Sequence, residues 1–433
     1  MLMRRCWLMK PIGCTRSGRW RNVQAQAQRN TATAEHVIDP EWATAKPYKS
    51  IPGPTLWQLF RGFSKGGCYD GLNLIELHIR LRQEYGDIYR IPAAMGRADV
   101  VMSFAPEDFE KVFRTEGQYP VRRSFDTMTY YRQQVRPDIF GELGGLVTSQ
   151  GESWQKMRRI CNPVLLNPKT VKVYVEQMDA VSLEFMEIMA NLRDEKNELP
   201  ADFNEWLSRW ALETTGVLAL DTRLGVLHST DSGEGQRLVD TSAGSVAILY
   251  CLAKNPEKQA KLRAELRTIM PTKDTRLTAS MMSNLPYLRA CIKEGMRMFP
   301  PAAGNFRATG RDIVLQGYRV PSDTDIAMGA QVLLRDEKYF HRPTEFIPER
   351  WLNDRDASIP SAKDVNPFIF LPFGFGSRSC IGKRLAMMEM EVILARWIRQ
   401  FEFRWNYEDY KFRTTVINMP GCPLKFELRD LED

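Results

Sequence analysis

Hydrophobic and polar positions along the chain alternate mostly with a helical period. Residues 74–85 (LIELHIRLRQEY) place apolar side chains on one face and predict a short amphipathic helix. Two short runs rich in β-branched and aromatic residues follow, DIYRI and DVVMSF, around a turn at Met95-Gly96. Pro106 then opens a helix over EDFEKVFR. Helical periodicity returns over 171–192 and 203–220, over 255–270, and from Asn284-Pro286 through Met298. Residues 312–328 read as short strands, 339–379 as a long loop-rich stretch and 381–401 as a further amphipathic helix. From 401 to 428 aromatic and polar residues alternate as in a β-hairpin, while Pro-rich residues 46–57 read as an extended lead-in. The predicted fold is mainly α with a small antiparallel β-sheet, and the chain shows no internal repeat.

Composition narrows the class. The chain has 433 residues, 43% hydrophobic and 26% charged, enough for a large core. No run of 18 apolar residues occurs, so no membrane-spanning helix is expected. The net charge of +7 is local: Arg4, Arg5, Lys10, Arg16, Arg19, Arg21 and Arg29 precede the first acid, Glu35. The remainder is close to neutral, which argues against nucleic acid as a partner. Residues 1–34, basic and without acids, have the composition of a mitochondrial transit peptide; a basic tail is the plainer alternative. The eight Cys show no regular spacing, so neither a disulfide framework nor a zinc ribbon is indicated. The four His (His36, His78, His228 and His341) form no pair at helical spacing, so a functional metal needs another ligand.

One segment carries most of the chemistry. Phe373-Gly374-Phe375-Gly376-Ser377-Arg378-Ser379-Cys380-Ile381-Gly382 lies just before a strong helix. Its glycines allow close backbone approach to a flat ligand. A helix N-terminus favours a thiolate at Cys380, and Arg378 can hold an anion. The plain reading is a buried free cysteine at a helix start. Two further motifs accompany it. Glu294 and Arg297 stand in an E-x-x-R, 86 residues before Cys380, and Pro348-Glu349-Arg350-Trp351 lies between them. Trp154 and Arg158 form a W-x-x-x-R.

F-x-x-G-x-R-x-C-x-G is the haem-binding signature of the cytochrome P450 family, and the chain from about residue 46 to its end resembles that family, its mitochondrial clan and the insect members in particular. The resemblance implies haem b with Cys380 as the iron ligand and Phe373 beside it. Trp154, Arg158, Arg378 and Arg307 would approach the haem propionates, a surface arginine being the alternative for Arg307. Glu294, Arg297 and Arg350 would form a buried structural network. Arg289, Lys293, Lys383 and Arg384 match the clan's cations for docking an acidic [2Fe–2S] ferredoxin, itself served by a reductase. The expected reaction inserts one oxygen atom of O2 into an apolar small molecule, steroid-like or xenobiotic, with Asp240 and Thr241 relaying protons. The expected location is the matrix side of the inner mitochondrial membrane, with peripheral membrane association. Phe125, Tyr130, Tyr131 and Phe140 are candidates to line the substrate pocket or simply to pack a loop.

The chain departs from the family at the oxygen-activating helix. Of the pattern A/G-G-x-D/E-T-T/S only Asp240-Thr241-Ser242 survives, and Arg237 and Leu238 occupy the small-residue positions. Gly233 and Gly235 would interrupt any helix upstream. Only 140 residues separate Trp154 from Glu294. The expectation is a gap of roughly 80–90 residues between Val239 and Asp240, removing the lid helices and the first half of the central helix from a single domain spanning 46–433. Two other functions compete with monooxygenation. One is a catalytically impaired or non-catalytic haem-binding product. The other is a redox-independent peroxide isomerase, against which Thr241 and the docking cations argue.

Overall fold

The computed structural model describes residues 39–432 apart from 95–97, 124, 142–143, 229–239, 303 and 415–416. For Asp126 and for 240–243 it describes the backbone alone. The transit-peptide segment and Arg237-Leu238 therefore lie outside the described residues. The chain forms two compact units. The first gathers residues up to Cys161 with Gly304–Val332 and Gly374–Ser379; the second gathers Asn162–Ala303, Leu333–Phe373 and Cys380–Asp433.

The first unit is built on a four-stranded sheet whose neighbours run Ile88–Ile91, Val100–Ser103, Asp325–Met328, Asn305–Ala308. Strands β1 (Ile88–Ile91) and β2 (Val100–Ser103) pair antiparallel, with Ile88 opposite Ser103. Strand β3 (Asn305–Ala308) pairs antiparallel with β6 (Asp325–Met328), whereas β2 and β6 run parallel. A separate hairpin joins β4 (Ile313–Leu315) to β5 (Tyr318–Val320). Helix α1 (Leu56–Phe63) starts inside the stretch expected to be extended. The signal for it was present: Thr55 and Gln58 form a reciprocal capping box. Helices α2 (Leu74–Tyr85) and α3 (Pro106–Thr115) follow the predicted bounds, Asn73 capping the first with Glu76 as its partner. Helix α4 (Gly151–Leu165) carries Trp154 and Arg158.

The second unit is helical. Helix α5 (Val175–Leu192) buries Met178, Val181, Phe185 and Met189 on one stripe. Its neighbours are α6 (Phe203–Leu220), α7 (Asp240–Lys254), α8 (Pro256–Ile269), α9 (Pro286–Met298) and α10 (Lys383–Gln400). Helix α10 is the core element: Val392, Ile393, Leu394, Ala395, Trp397 and Ile398 are all fully buried. A polar residue there must be satisfied inside the core. Arg396 meets this demand by pairing with Asp179 at 2.6 and 2.7 Å and donating to the Lys273 and Thr275 carbonyls. The C-terminal segment is two nested pairs rather than one hairpin. Strand β7 (Phe401–Arg404) pairs with β10 (Glu427–Asp430), and β8 (Phe412–Thr414) with β9 (Asn418–Pro420).

Candidate active site

Cys380 precedes α10 in the second unit. Its amide donates to the Phe373 carbonyl at 2.8 Å, which closes the loop and sets Cys380 at the helix start. The first amides of a helix lack intrahelical acceptors, so negative charge is favoured there. Cys380 is exposed, whereas Cys251 and Cys291 are buried, and burial pushes both of their thiols up. Those two are held in the neutral form, which is a poor metal ligand. In the preceding loop Gly374 and Gly376 have φ of +69° and +72°. A Cβ at Gly376 would also sit 2.6 Å from Glu116 Oε1. The positive φ favours glycine at that position, and the contact means that Glu116 would have to shift to admit any side chain.

The E-x-x-R motif stands behind α10 in the same unit. The fully buried Glu294 carboxylate accepts from Arg297 Nε and Nη2 at 3.0 and 2.9 Å and from Arg350 Nε at 3.0 Å. Trp351 Nε1 (2.8 Å) and the Ile347 amide (3.2 Å) complete its shell. Arg297 donates also to the Leu334 and Glu345 carbonyls, and Arg350 to that of His341. The three predicted members do come together. Trp351 was not foreseen as a fourth.

The first unit holds a buried cluster of guanidinium groups. Arg378 is 5% exposed, stacks on Trp154 with Cζ 4.1 Å from the ring centre, and donates to Pro120 O, Ser149 O and Gln150. Its Nη1 is buried without a hydrogen-bond partner. Arg158 donates to Ser379 O at 3.0 Å. Arg307 is 3% exposed and pairs with Glu116, lies over Phe113 and reaches Phe375 O at 3.2 Å. The surface-arginine alternative for Arg307 therefore does not hold. Burial, then repulsion from Arg122, Arg307 and Arg158, pushes the Arg378 guanidinium down to about 9. Glu116 is the carboxylate that opposes this, and burial raises its own pKa toward the protonated form. Four guanidiniums against one weakened carboxylate, with a buried donor unsatisfied, suit an anionic ligand with two carboxylates. The thiolate position and this cluster, each in its own unit, fit the two chemistries of haem. Arg122, Gln150 and Glu116 were missed because no local motif marks them; Arg307 and Glu116 are 191 positions apart.

The remaining predicted residues scatter. Asp240 and Thr241 fall in the first turn of α7, with side chains outside the described residues. Lys383 and Arg384 lie exposed in the first turn of α10, Arg384 donating to Leu166 O. Arg289 is bound to Glu391 at 2.9 Å and to the Met282 and Ser283 carbonyls. Lys293 is half-buried over the Trp351 ring, and burial with the nearby Lys363 charge lowers its affinity for a proton. Phe125 and Phe140 each pack beneath an arginine, Arg122 and Arg132, and Tyr130 is exposed.

Comparison with known proteins decides the family. The profile of the family described as Cytochrome P450 matches residues 51–240 and again 238–416. The chain belongs to the cytochrome P450 family. It is 38% identical over 512 aligned residues to "Probable cytochrome P450 12a5, mitochondrial" of Drosophila melanogaster, covering 94% of this chain and 96% of the relative. It is 34% identical to "Cytochrome P450 CYP12A2" of Musca domestica, covering 99% and 97%. With "Cytochrome P450 12b1, mitochondrial" of Drosophila acanthoptera it shares 35%, covering 92% and 93%. The mainly helical architecture is that of the P450 family, whose members are haem-thiolate monooxygenases, and haem iron is the cofactor. The alignment with the first relative has 512 positions against 433 residues here, and the two profile matches meet at 238–240.

Proposed function

We propose that the chain inserts one oxygen atom of O2 into an apolar small molecule, steroid-like or xenobiotic, using electrons from a mitochondrial [2Fe–2S] ferredoxin and its reductase. Cys380 is the iron ligand, and the observation that carries this is its exposed position at the start of α10 while Cys251 and Cys291 are buried. Arg378, Arg158, Arg307 and Trp154 bind and orient the propionates, and Phe373 fixes the loop through its carbonyl. Thiolate-ligated haem supplies oxygen activation when bound. Glu294, Arg297 and Arg350 hold the scaffold behind α10, and Asp240 and Thr241 move protons from the start of α7. Lys383 and Arg384 lead the docking surface for the ferredoxin, with Arg289 and Lys293 in supporting positions, since both have internal partners.

The relatives named mitochondrial support location in that organelle, and we place the protein peripherally on the matrix side of the inner membrane, with residues 1–34 as its transit peptide. Among the described residues no helix is long and apolar enough to cross a membrane. We read 46–433 as one P450 domain with an internal deletion at 239/240. The profile matches meeting at 238–240, and an alignment longer than the chain, support that reading. The test is the reduced, carbon monoxide-bound spectrum. Cys380→Ala should abolish the thiolate-type Soret band, whereas Cys161→Ala, Cys251→Ala and Cys291→Ala should retain it. A thiolate band persisting in Cys380→Ala would refute the ligand assignment.

A further inference from the structure

Loop 405–411, between β7 and β8, sets a run of oxidisable rings against α7. The Tyr250 ring on α7 has its centre 5.2 Å from that of Trp405 and 5.3 Å from that of Tyr410, and Trp405 stands 6.0 Å from Tyr407. Tyr250, Trp405 and Tyr410 are buried, whereas Tyr407 is 39% exposed. The series runs unbroken from a core helix to solvent. Its inner end, Tyr250, lies about 14 Å further along α7 than Thr241. Aromatic rings fill a core well, but phenylalanine serves that purpose without a polar atom. A buried hydroxyl or indole N–H costs free energy unless it is partnered.

The partners present are those that electron loss requires. Tyr250 Oη donates to Asp409 Oδ1 at 3.1 Å, and that exposed carboxylate is paired with Lys254 Nζ at 3.3 Å. The Tyr407 hydroxyl bonds to the Glu198 carboxylate. A phenol that loses an electron becomes a far stronger acid, so a carboxylate within hydrogen-bond reach takes its proton. Trp405 Nε1 donates instead to Glu408 O at 2.8 Å. A peptide carbonyl is no base, so the indole passes charge on and keeps its proton. The hydrogen bond to Glu198 pushes the Tyr407 phenol up to about 12, so at rest Tyr407 keeps its proton and gives up an electron only together with it. Lys425 lies over the Tyr407 ring at 5.6 Å and disfavours positive charge there, which release of that proton offsets.

We propose that Tyr250, Trp405 and Tyr407 form an electron relay that gives this protein a second activity, reduction of hydrogen peroxide by external thiols when no organic substrate is bound. The inference rests on the haem-thiolate assignment above. Reducing one peroxide to two waters at the haem takes two electrons and two protons. Tyr250 supplies each electron while its proton moves onto Asp409, and an electron from Trp405 brings that proton back. Tyr407 refills Trp405 and loses its phenolic proton to Glu198, which passes it to solvent and so replaces the proton consumed at the haem. The neutral Tyr407 radical at the surface then takes a hydrogen atom from a thiol. Two passes consume two thiols, whose sulfur radicals join as one disulfide. The test mixes the full-length holoprotein with hydrogen peroxide, without organic substrate, and follows rapid-freeze electron paramagnetic resonance and disulfide formation from added glutathione. The parent should show a tyrosyl radical and oxidise glutathione. Tyr407→Phe and Trp405→Phe should each lose both, with the reduced, carbon monoxide-bound spectrum and thermal unfolding unchanged. Tyr407 is at the surface, so its variant decides the matter if Trp405→Phe fails to fold. A parent without the thiolate-type band overturns the haem assignment and this proposal with it. A parent that has the band and forms no protein radical overturns the relay alone, as does a radical that persists unchanged in Tyr407→Phe.

Discussion

Replacing Glu294 by Gln tests the energetics of the scaffold behind α10. The carboxylate is fully buried, and so are its two cationic partners, Arg297 at 0% and Arg350 at 1% exposure. It accepts five hydrogen bonds, three of them from guanidinium groups. Glutamine has nearly the same shape, so no cavity forms. What changes is that two buried cations lose their single compensating charge, and an NH2 group replaces an acceptor facing donors. Breaking a buried ion pair by removing one partner costs about 3–5 kcal/mol. A buried donor left without an acceptor adds roughly 1–3 kcal/mol. A typical domain has about 5–15 kcal/mol in total, so the loss is a large part of the stability. The assay is urea unfolding followed by circular dichroism, comparing midpoints at equal slope. We expect a loss of at least 3 kcal/mol on that scale, together with poor haem retention. Unfolding within about 1 kcal/mol of the parent would mean that water already solvates these charges, and the reasoning from burial would fail.

Burial pushes His78 down to about 4 from its ordinary 6.5, with Tyr89 Oη 2.7 Å from Nδ1. The folded state thus binds fewer protons than the unfolded state between those values, so stability is complete above about pH 6.5 and falls as pH drops toward 4, by up to about 3 kcal/mol. A His78→Gln variant should show a flatter unfolding free energy over this window; an unchanged slope would assign the acid loss to other groups. Residues 1–34 fused to a fluorescent reporter should send it to mitochondria with removal of the segment, and a diffuse cytosolic signal would count against the transit peptide. Restoring the segment from a near relative between Val239 and Asp240 should raise haem retention, thermal stability and the yield of product per electron, and equal yields in the two proteins would show the shorter chain to be a tolerated variant.

Short-range patterns survive translation from sequence to structure because their geometry is set by a few consecutive bonds. Glu294 and Arg297 meet at i,i+3 on one helix, and Gly374 and Gly376 adopt the positive φ that their spacing before Cys380 suggested. The T-x-x-Q of the α1 capping box was equally local, yet the prolines at 47, 52 and 54 masked it; prolines end before the N-cap and leave the helix free to start. Long-range partners are another matter. Nothing near Glu116 in the chain says that it will neutralise Arg307, and nothing near Gln150 says that it will receive Arg378. The parallel pairing of β2 with β6, more than 200 positions apart, is likewise a product of the tertiary fold. Arg289 shows the same limit from the other side: the resemblance marks it as a docking cation, and its pairing with Glu391 on α10 is visible only once two helices are packed.

The proposed deletion falls between two segments that are each secured by their own contacts. On one side α6 ends at Asp221, in the left-handed conformation with φ of 53°. The fully buried Glu213 then holds the next residues: its carboxylate accepts from Arg223 Nε at 2.6 Å and from the Leu224 and Val226 amides at 2.9 Å. Burial acts to raise its pKa, but Arg223 and the amides outweigh that and keep the carboxylate charged. On the other side α7 buries Val246, Ile248, Leu249 and Leu252 completely, and Gly295 of α9 lets Ile248 approach so closely that a Cβ there would be 2.5 Å from it. A cut between two segments anchored in this way leaves Glu213 with its partners on one flank and the apolar packing of α7 intact on the other. The cost is therefore concentrated in the apolar cover that the absent helices provided, at roughly 1.5–3 kcal/mol for each large side chain left bare. That separation is why the thiolate spectrum and the coupling of electrons to product should respond differently to restoration. The first depends on Cys380 at the start of α10, the second on what excludes water above it.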